Sequence, residues 1–345
     1  VGVALSYSDD FSAAVPEIVA AERVGAALVV VAEAYSFDAV SRLGYLAAAT
    51  ERMALASGIL PLYSRTPALL AMTAAGLDDV SGGRFELGLG SSGPQVIEGF
   101  HGVAYDAPLA RMRETIEICR TVWRREALDF HSSHYDAPLT SGGTGLGRPL
   151  KLVNHPRRDR IPVTVAALTE KSVRQTAAMA EGWVPAFYFP EHAKTAWGDA
   201  LAAGLAERPA ELGDLDITVH LPLCIGEHID EALAMRRQEL ALYVGGMGAR
   251  GANFYNDLAV RYGYPDAAAA VQELYLTGRK SDAESELPDE LVRGTSLIGD
   301  EEHVRGRVAA LLRSGVTSIV VSPVGPSAHA RTEQVEALVG MLRPL

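Results

Sequence analysis

Apolar residues fall along this chain in two alternating textures. Short runs that are apolar on both faces occupy positions 1–5, 26–32, 53–60, 84–88, 162–168, 183–187, 217–225 and 317–322. Each is too short for a helix and ends at Gly, Pro or polar residues, so each reads as a strand buried on both sides, the pattern of a parallel sheet. Between the runs, apolar positions step by three and four, as in Leu109, Met112, Ile116, Cys119 and Trp123, or Val335, Leu338, Val339 and Leu342. That spacing is the stripe of an amphipathic helix. Pro16 and Pro67 stand where a first helical turn tolerates them. Eight such units with no Pro/Ser linker predict an α/β fold, a (β/α)8 TIM barrel forming one domain over 1–345, with a doubly wound sheet as the alternative. Two longer excursions, 126–161 and 245–296, are expected as insertions after strands four and seven. There they serve either as walls or lids over a site or as surface elaboration.

Composition narrows the function classes. The chain has 345 residues, 48% hydrophobic and 21% charged, with a net charge of −12. That balance fits a soluble fold with a large core and argues against a general affinity for nucleic acid or anionic membrane. No apolar run reaches the length of a membrane span, and the start shows no signal-peptide pattern. Two cysteines, Cys119 and Cys224, make no disulfide framework, so a reducing, cytoplasmic setting is expected. A small-molecule substrate and a homodimer complete the expected partners.

Candidate chemistry gathers around Gly82-Gly83-Arg84-Phe85-Glu86-Leu87-Gly88-Leu89-Gly90-Ser91-Ser92-Gly93. The stretch passes from a helix end through a short strand into a loop of small and hydroxylated residues, which lets a ligand approach the backbone. Gly88 to Gly93 fits G-x-G-x-x-G, but three strand-like runs precede it, and the region about twenty residues on, near Glu114, is mid-helix. A dinucleotide fingerprint needs the first βα turn and an acidic strand end there. Pro94 rather than Gly stands two residues after Ser92, so the nucleophile elbow is not met either. The loop is a ligand site of another kind.

Several blocks together resemble the bacterial luciferase-like superfamily and, within it, the oxidoreductases that use the deazaflavin coenzyme F-420. They are Glu33-Ala34-Tyr35, Ala56-Ser57-Gly58-Ile59-Leu60, Arg65-Thr66-Pro67-Ala68, Ser81-Gly82-Gly83-Arg84-Phe85, Leu87 to Gly93, Pro162 to Leu168, and Glu181-Gly182-Trp183. The resemblance covers nearly the whole chain. It implies a barrel with the coenzyme ring across the C-terminal strand ends and a non-proline cis peptide at Gly58–Ile59, with Ile59 as an apolar backstop. It further implies that Ser91, Ser92 and Gly93 contact the ring or its polyol. Ala166, Ala167, Leu168 and Thr169 hold the coenzyme phosphate at a helix N-terminus, and Gly182 and Trp183 adjoin them. Thr169 is also a natural N-cap. FMN is the alternative coenzyme, in a monooxygenase of the same superfamily; a non-catalytic flavin or deazaflavin carrier is a third reading.

One position departs from the family. Alcohol- and sugar-oxidising members end strand two with Asp-His, whereas this chain has Glu33 and Ala34. Without that imidazole a sugar or secondary-alcohol dehydrogenase is disfavoured, and the candidate acid–base groups become Glu33 and Tyr35. The remaining candidates are milder. His131 and His134 share H-x-x-H spacing without further ligands and suit a solvated hairpin better than a metal site, so no metal is expected. His101 follows the glycine-rich loop. Cys119 lies on a buried helix stripe, and Phe187 and Tyr188 end strand six as pocket wall or core. A basic run, Arg148, Lys151, Arg157, Arg158 and Arg160, is a candidate grip for the coenzyme's acidic tail, with Arg148 and Lys151 the better placed.

Overall fold

The computed structural model describes residues 1–342 except Ser6, Ser8 and Asp9; those three and 343–345 lie outside the description. Eight parallel strands close on themselves: β1 (Gly2–Leu5), β2 (Leu28–Val31), β3 (Ala54–Ser57), β4 (Phe85–Gly90), β5 (Val163–Ala166), β6 (Gly182–Val184), β7 (Asp216–Ile225) and β8 (Ser318–Pro323). Each pairs with the next, and β8 returns to β1. Valine-rich runs such as Leu28-Val29-Val30-Val31 suit this arrangement because both faces of every strand are covered. The closed barrel sets aside the doubly wound alternative.

Polar residues just past the strand ends start the helices. Asp38, Thr66, Thr169 and Asp300 each accept a hydrogen bond from a first-turn N–H of the helix they cap. The main core lies between strands and helices, from Leu43, Leu46 and Phe85 to Trp123, Trp183 and Trp197. Inside the barrel the packed cluster is small: Val30, Ala56 and Val320, with Ala4 and Leu28 against them. Barrels usually fill this space with layers of bulky side chains. Here Ala and Gly occupy many of the inward positions, so room is left above the cluster.

The expected strand over 53–60 is interrupted. After Ser57 the ladder with β4 breaks, and a short piece, Leu60–Pro61, resumes pairing at Leu89 and Gly90. Across the gap the Ser57 hydroxyl accepts from the Gly88 N–H and donates to the Gly88 carbonyl, each at 2.9 Å. One side chain thus satisfies the backbone groups that the ladder leaves unpaired. Sequence reading also missed a strand. Leu297–Gly299 pairs with the outer half of β7, beyond the point where β6 stops. Residues 126–161 follow the helix Pro108–Trp123 rather than β4 directly and carry the hairpin Phe130–His131 and Asp136–Ala137. Between β7 and Leu297–Gly299 run the helix Ile229–Ala241, a π-helical turn Leu242–Gly246 and four shorter helices.

Candidate functional site

A cavity of about 920 Å³ opens at the C-terminal ends of the strands and reaches into the barrel. That volume is ample for a tricyclic ring and a substrate side by side. Glycines let the strand ends beside it pack closely; Gly58 lines the cavity, whereas Gly88 and Gly90 do not. A Cβ on Gly88 would stand 1.8 Å from the Ser57 carbonyl oxygen, and one on Gly58 would stand 2.1 Å from Val30 Cγ1. A Cβ on Gly90 would meet Ile59 Cγ1 at 2.8 Å, so the Ile59 side chain is seated directly on Gly90. Gly58 and Ile59 both line the cavity, and the peptide between them is cis, as the resemblance implies. In the next loop Ser92 takes a left-handed φ of 57° and its carbonyl accepts from the Tyr105 hydroxyl at 3.4 Å. Gly93 then caps the short helix Pro94–Gly99.

The β2 end is built differently from a free acid–base pair. Arg65 reaches both Glu33 oxygens, at 2.6 and 3.0 Å, and Asp38 at 2.8 Å. The Ala39 N–H donates to Glu33 at 2.8 Å, so the same carboxylate also anchors the helix Ala39–Ala49. Glu33 thus accepts three hydrogen bonds from within the fold and does not line the cavity. Tyr35 is 63% exposed at the rim, beside Phe100.

At β5 the loop is gripped from behind. Trp183 Nε1 donates to the Ala167 carbonyl and Trp197 Nε1 to that of Leu168, both at 2.9 Å. Because a trans peptide sets N–H opposite C=O, these indoles turn the N–H groups of Leu168 and Thr169 to the other side, away from the core. Thr169 itself caps the helix Glu170–Met179 through Ser172. Ala166 lines the cavity; Trp183, fully buried against Trp197, does not. Gly182 packs on Thr164, where a Cβ would meet Cγ2 at 2.6 Å.

The structure also assembles polar groups that the strand pattern concealed. Glu86, Thr164, Thr218 and His220 all face the barrel interior. Burial raises the Glu86 carboxyl, with Asp216 adding to the shift and Arg158 opposing it. Burial alone brings His220 down to about 4, so its imidazole is neutral at pH 7. The signal was present in the alternation along β7, where Thr218, His220 and Pro222 line the cavity and Val219 and Leu223 join the outer core.

Other expected residues fall elsewhere. Phe187 lines the cavity in a left-handed conformation, φ 48°, its carbonyl held by the Tyr262 hydroxyl at 3.0 Å. Tyr188 stacks on Trp197 in the outer core. The Cys119 thiol is buried and pushed up to about 12, which leaves it inert. His131 sits between Asp136 and Asp129 at 2.5 and 2.8 Å, and no metal-holding cluster of His, Cys, Asp and Glu occurs among the described residues. Arg158 pairs with buried Asp78 and Arg160 with Glu181, so the later half of the basic run is spent on the fold.

The comparisons with known proteins agree with this geometry. A family model described as luciferase-like monooxygenase matches residues 1–318. This chain belongs to the luciferase-like monooxygenase family. Among its relatives is a Mycobacterium tuberculosis protein named provisionally as a coenzyme F-420-dependent oxidoreductase, 41% identical over 88% of this chain and 89% of its own. The 5,10-methylenetetrahydromethanopterin reductase of Archaeoglobus fulgidus is 27% identical over 83% and 82%. Among solved structures, the coenzyme F-420-dependent tetrahydromethanopterin reductase of Methanopyrus kandleri superposes with a TM-score of 0.77 at 20% identity, covering 98% of this chain and 96% of its own. In this luciferase-like barrel no described helix is long and apolar enough to cross a membrane.

Proposed function

We propose that this luciferase-like protein is an oxidoreductase that passes a hydride between coenzyme F-420 and a small organic substrate. The observation that carries the reading is the cavity at the strand C-termini, walled by the backbone of Gly58 and by Ile59, whose side chain is seated on Gly90. Such a wall lets a flat ring lie against backbone and one aliphatic side chain, so these residues fit the coenzyme. The 41% identical relative supports the choice of F-420 over FMN.

Bound there, the deazaflavin supplies a two-electron carrier, because its ring has carbon where a flavin has N5. Gly58 and Ile59 would hold the ring, Ser91, Ser92 and Gly93 the ring edge and polyol, and Ala166 to Thr169 the phosphate, through the N–H groups that the two indoles turn outward. The chain's own part is to fix the substrate carbon beside the ring and to exclude water. Glu33 is best read as a positioning residue of the loop that carries Tyr35, because both its oxygens are held by Arg65 and Ala39 and it does not line the cavity. Both cysteines are free and buried, which supports a cytoplasmic setting.

Anaerobic titration with F-420 and with FMN tests the reading. F-420 is expected to saturate the protein at lower concentration, and a substrate screen should then oxidise or reduce it. Tighter binding of FMN, with oxygen consumption, would replace the proposal with a monooxygenase.

A further inference from the structure

We propose that Tyr243 and Tyr255 form a paired phenol subsite that binds the oxygen of a neutral carbonyl compound as substrate. The inference deepens the oxidoreductase reading, rests on it for the identity of the reaction, and places two phenols as oxygen-facing donors in a barrel whose β2 end, with Ala34, lacks the imidazole of the alcohol-oxidising members. Both side chains line the cavity. Their rings meet edge to face at 4.8 Å, and each also edges onto Phe187, at 5.1 and 5.7 Å. Neither hydroxyl has a hydrogen-bond partner among the described residues, so both are free to donate to a molecule in the cavity. Burial raises both phenols, Tyr255 to about 12 and Tyr243 further, helped by Tyr255 beside it. Both therefore remain protonated donors throughout the physiological range.

A single buried amide fixes the pair. Tyr243 sits in the π-helical turn Leu242–Gly246, and Tyr255 in the first turn of Phe254–Arg261. Asn253, 1% exposed, lies between them. Its Nδ2 donates to the carbonyls of Tyr243 and Val244 at 2.9 and 3.0 Å. Its Oδ1 accepts the N–H groups of Tyr255 and Asn256 at 2.9 and 3.2 Å. Asn256 adds a second donor to Val244 at 3.1 Å. Behind the turn, a Cβ on Gly245 or Gly246 would come within 2.5 Å of the Tyr275 side chain, so the turn is pressed against that ring. π-turns of this kind recur at functional sites.

The rest of the wall indicates a neutral ligand. Arg236 donates to Glu239 at 2.7 Å and to the Thr295 carbonyl at 2.6 Å, with its guanidinium 4.8 Å above the Phe187 ring and its buried Nε without a partner among the described residues. Arg331 pairs with Glu17, so both wall arginines already face an opposite charge. Deeper in, burial favours the neutral forms of Glu86 and His220. A carboxylate, phosphate or amine would have to displace one of these pairs; an apolar body with one acceptor oxygen would not.

The test uses the coenzyme-loaded protein and a matched panel: acetophenone and 2-acetylnaphthalene, their hydrocarbon counterparts ethylbenzene and 2-ethylnaphthalene, and benzoate. Calorimetry is expected to show the better-fitting ketone binding about tenfold more tightly than its hydrocarbon, with benzoate weakest. Tyr243→Phe and Tyr255→Phe should each remove most of that gap and leave hydrocarbon affinity unchanged. A merely structural role would instead lower both affinities together. Asn253→Asp, which keeps the acceptor and loses the two donors, should narrow the gap in the same way. Equal affinity for ketone and hydrocarbon in the parent protein, an undiminished gap in both Phe variants, or tightest binding of benzoate would overturn the subsite. Coenzyme binding is measured first. If F-420 does not bind, the oxidoreductase reading falls, and the panel on coenzyme-free protein still decides the phenol pair.

Discussion

Glu33 offers two carboxylate oxygens to three strong donors, and its side chain is only 8% exposed. Glu33→Gln keeps the shape and breaks the ion pair with Arg65, so stability is expected to fall by roughly 3 kcal/mol, the usual loss when one partner of a buried pair is removed. Thermal melts check this; an unchanged melting temperature with a collapsed kcat would return Glu33 to the chemistry. His220 makes a different kind of prediction. Its folded pKa lies near 4 against an ordinary 6.5, so between those values the unfolded chain binds more protons and stability falls as the pH drops. The loss should approach roughly 2–3 kcal/mol at the bottom of that window. His220→Gln should flatten the melting-temperature profile between pH 6.5 and 4, and parallel profiles for the two proteins would contradict the assignment. The cis bond at Gly58–Ile59 was expected from the family resemblance, because residue pattern alone also allows an ordinary strand end. Glu86 was not legible, because a single polar residue in a buried strand declares its face only once the neighbouring strands are in place, whereas Thr218 and His220 did alternate along an apolar run.

At the scale of elements, helix starts were the easiest to read: Thr66-Pro67 and Thr169 are local signals that need no tertiary context. The three-residue strand Leu297–Gly299 and the π-turn at Tyr243 gave no such signal. The first is too short to show a period, and the second is held by contacts ten residues away in Asn253. Trp183 was expected at the coenzyme and instead works through the loop its indole grips. Trp183→Phe keeps the buried ring but leaves the Ala167 carbonyl without its donor, a loss of about 1–3 kcal/mol. Coenzyme affinity should weaken several-fold in the same variant, because the β5 loop is freed to turn. Fluorescence titration alongside melts tests both, and unaltered affinity despite a lower melting temperature would confine Trp183 to packing.

For the whole molecule, eight apolar runs pointed to the barrel and left a doubly wound sheet open, since both share strands buried on two sides; the pairing of β8 with β1 decides between them. Assembly was less legible, because an interface looks like any other surface in one sequence. Leu139, Leu146, Leu150 and Val153 are all at least 60% exposed along the arm that follows the helix Pro108–Trp123. Exposed apolar residues mark association where they join into one patch, and this arm is the candidate. A homodimer is expected by light scattering, and Leu146→Glu with Val153→Glu should release monomers; a monomeric parent protein would refute this. The outer half of β7 carries one more consequence. Ile225 and Gly299 are register partners, and the Gly226 N–H donates to the Gly299 carbonyl at 3.0 Å. The chain thus departs and returns through one doorway, and the seventy-odd residues between, both tyrosines included, hang from it as a cassette. Exchanging that segment would leave every strand pairing of the barrel in place, yet its Arg261 donates to the Leu168 carbonyl at 2.9 Å, so the substrate wall and the β5 loop are tied and would have to change together.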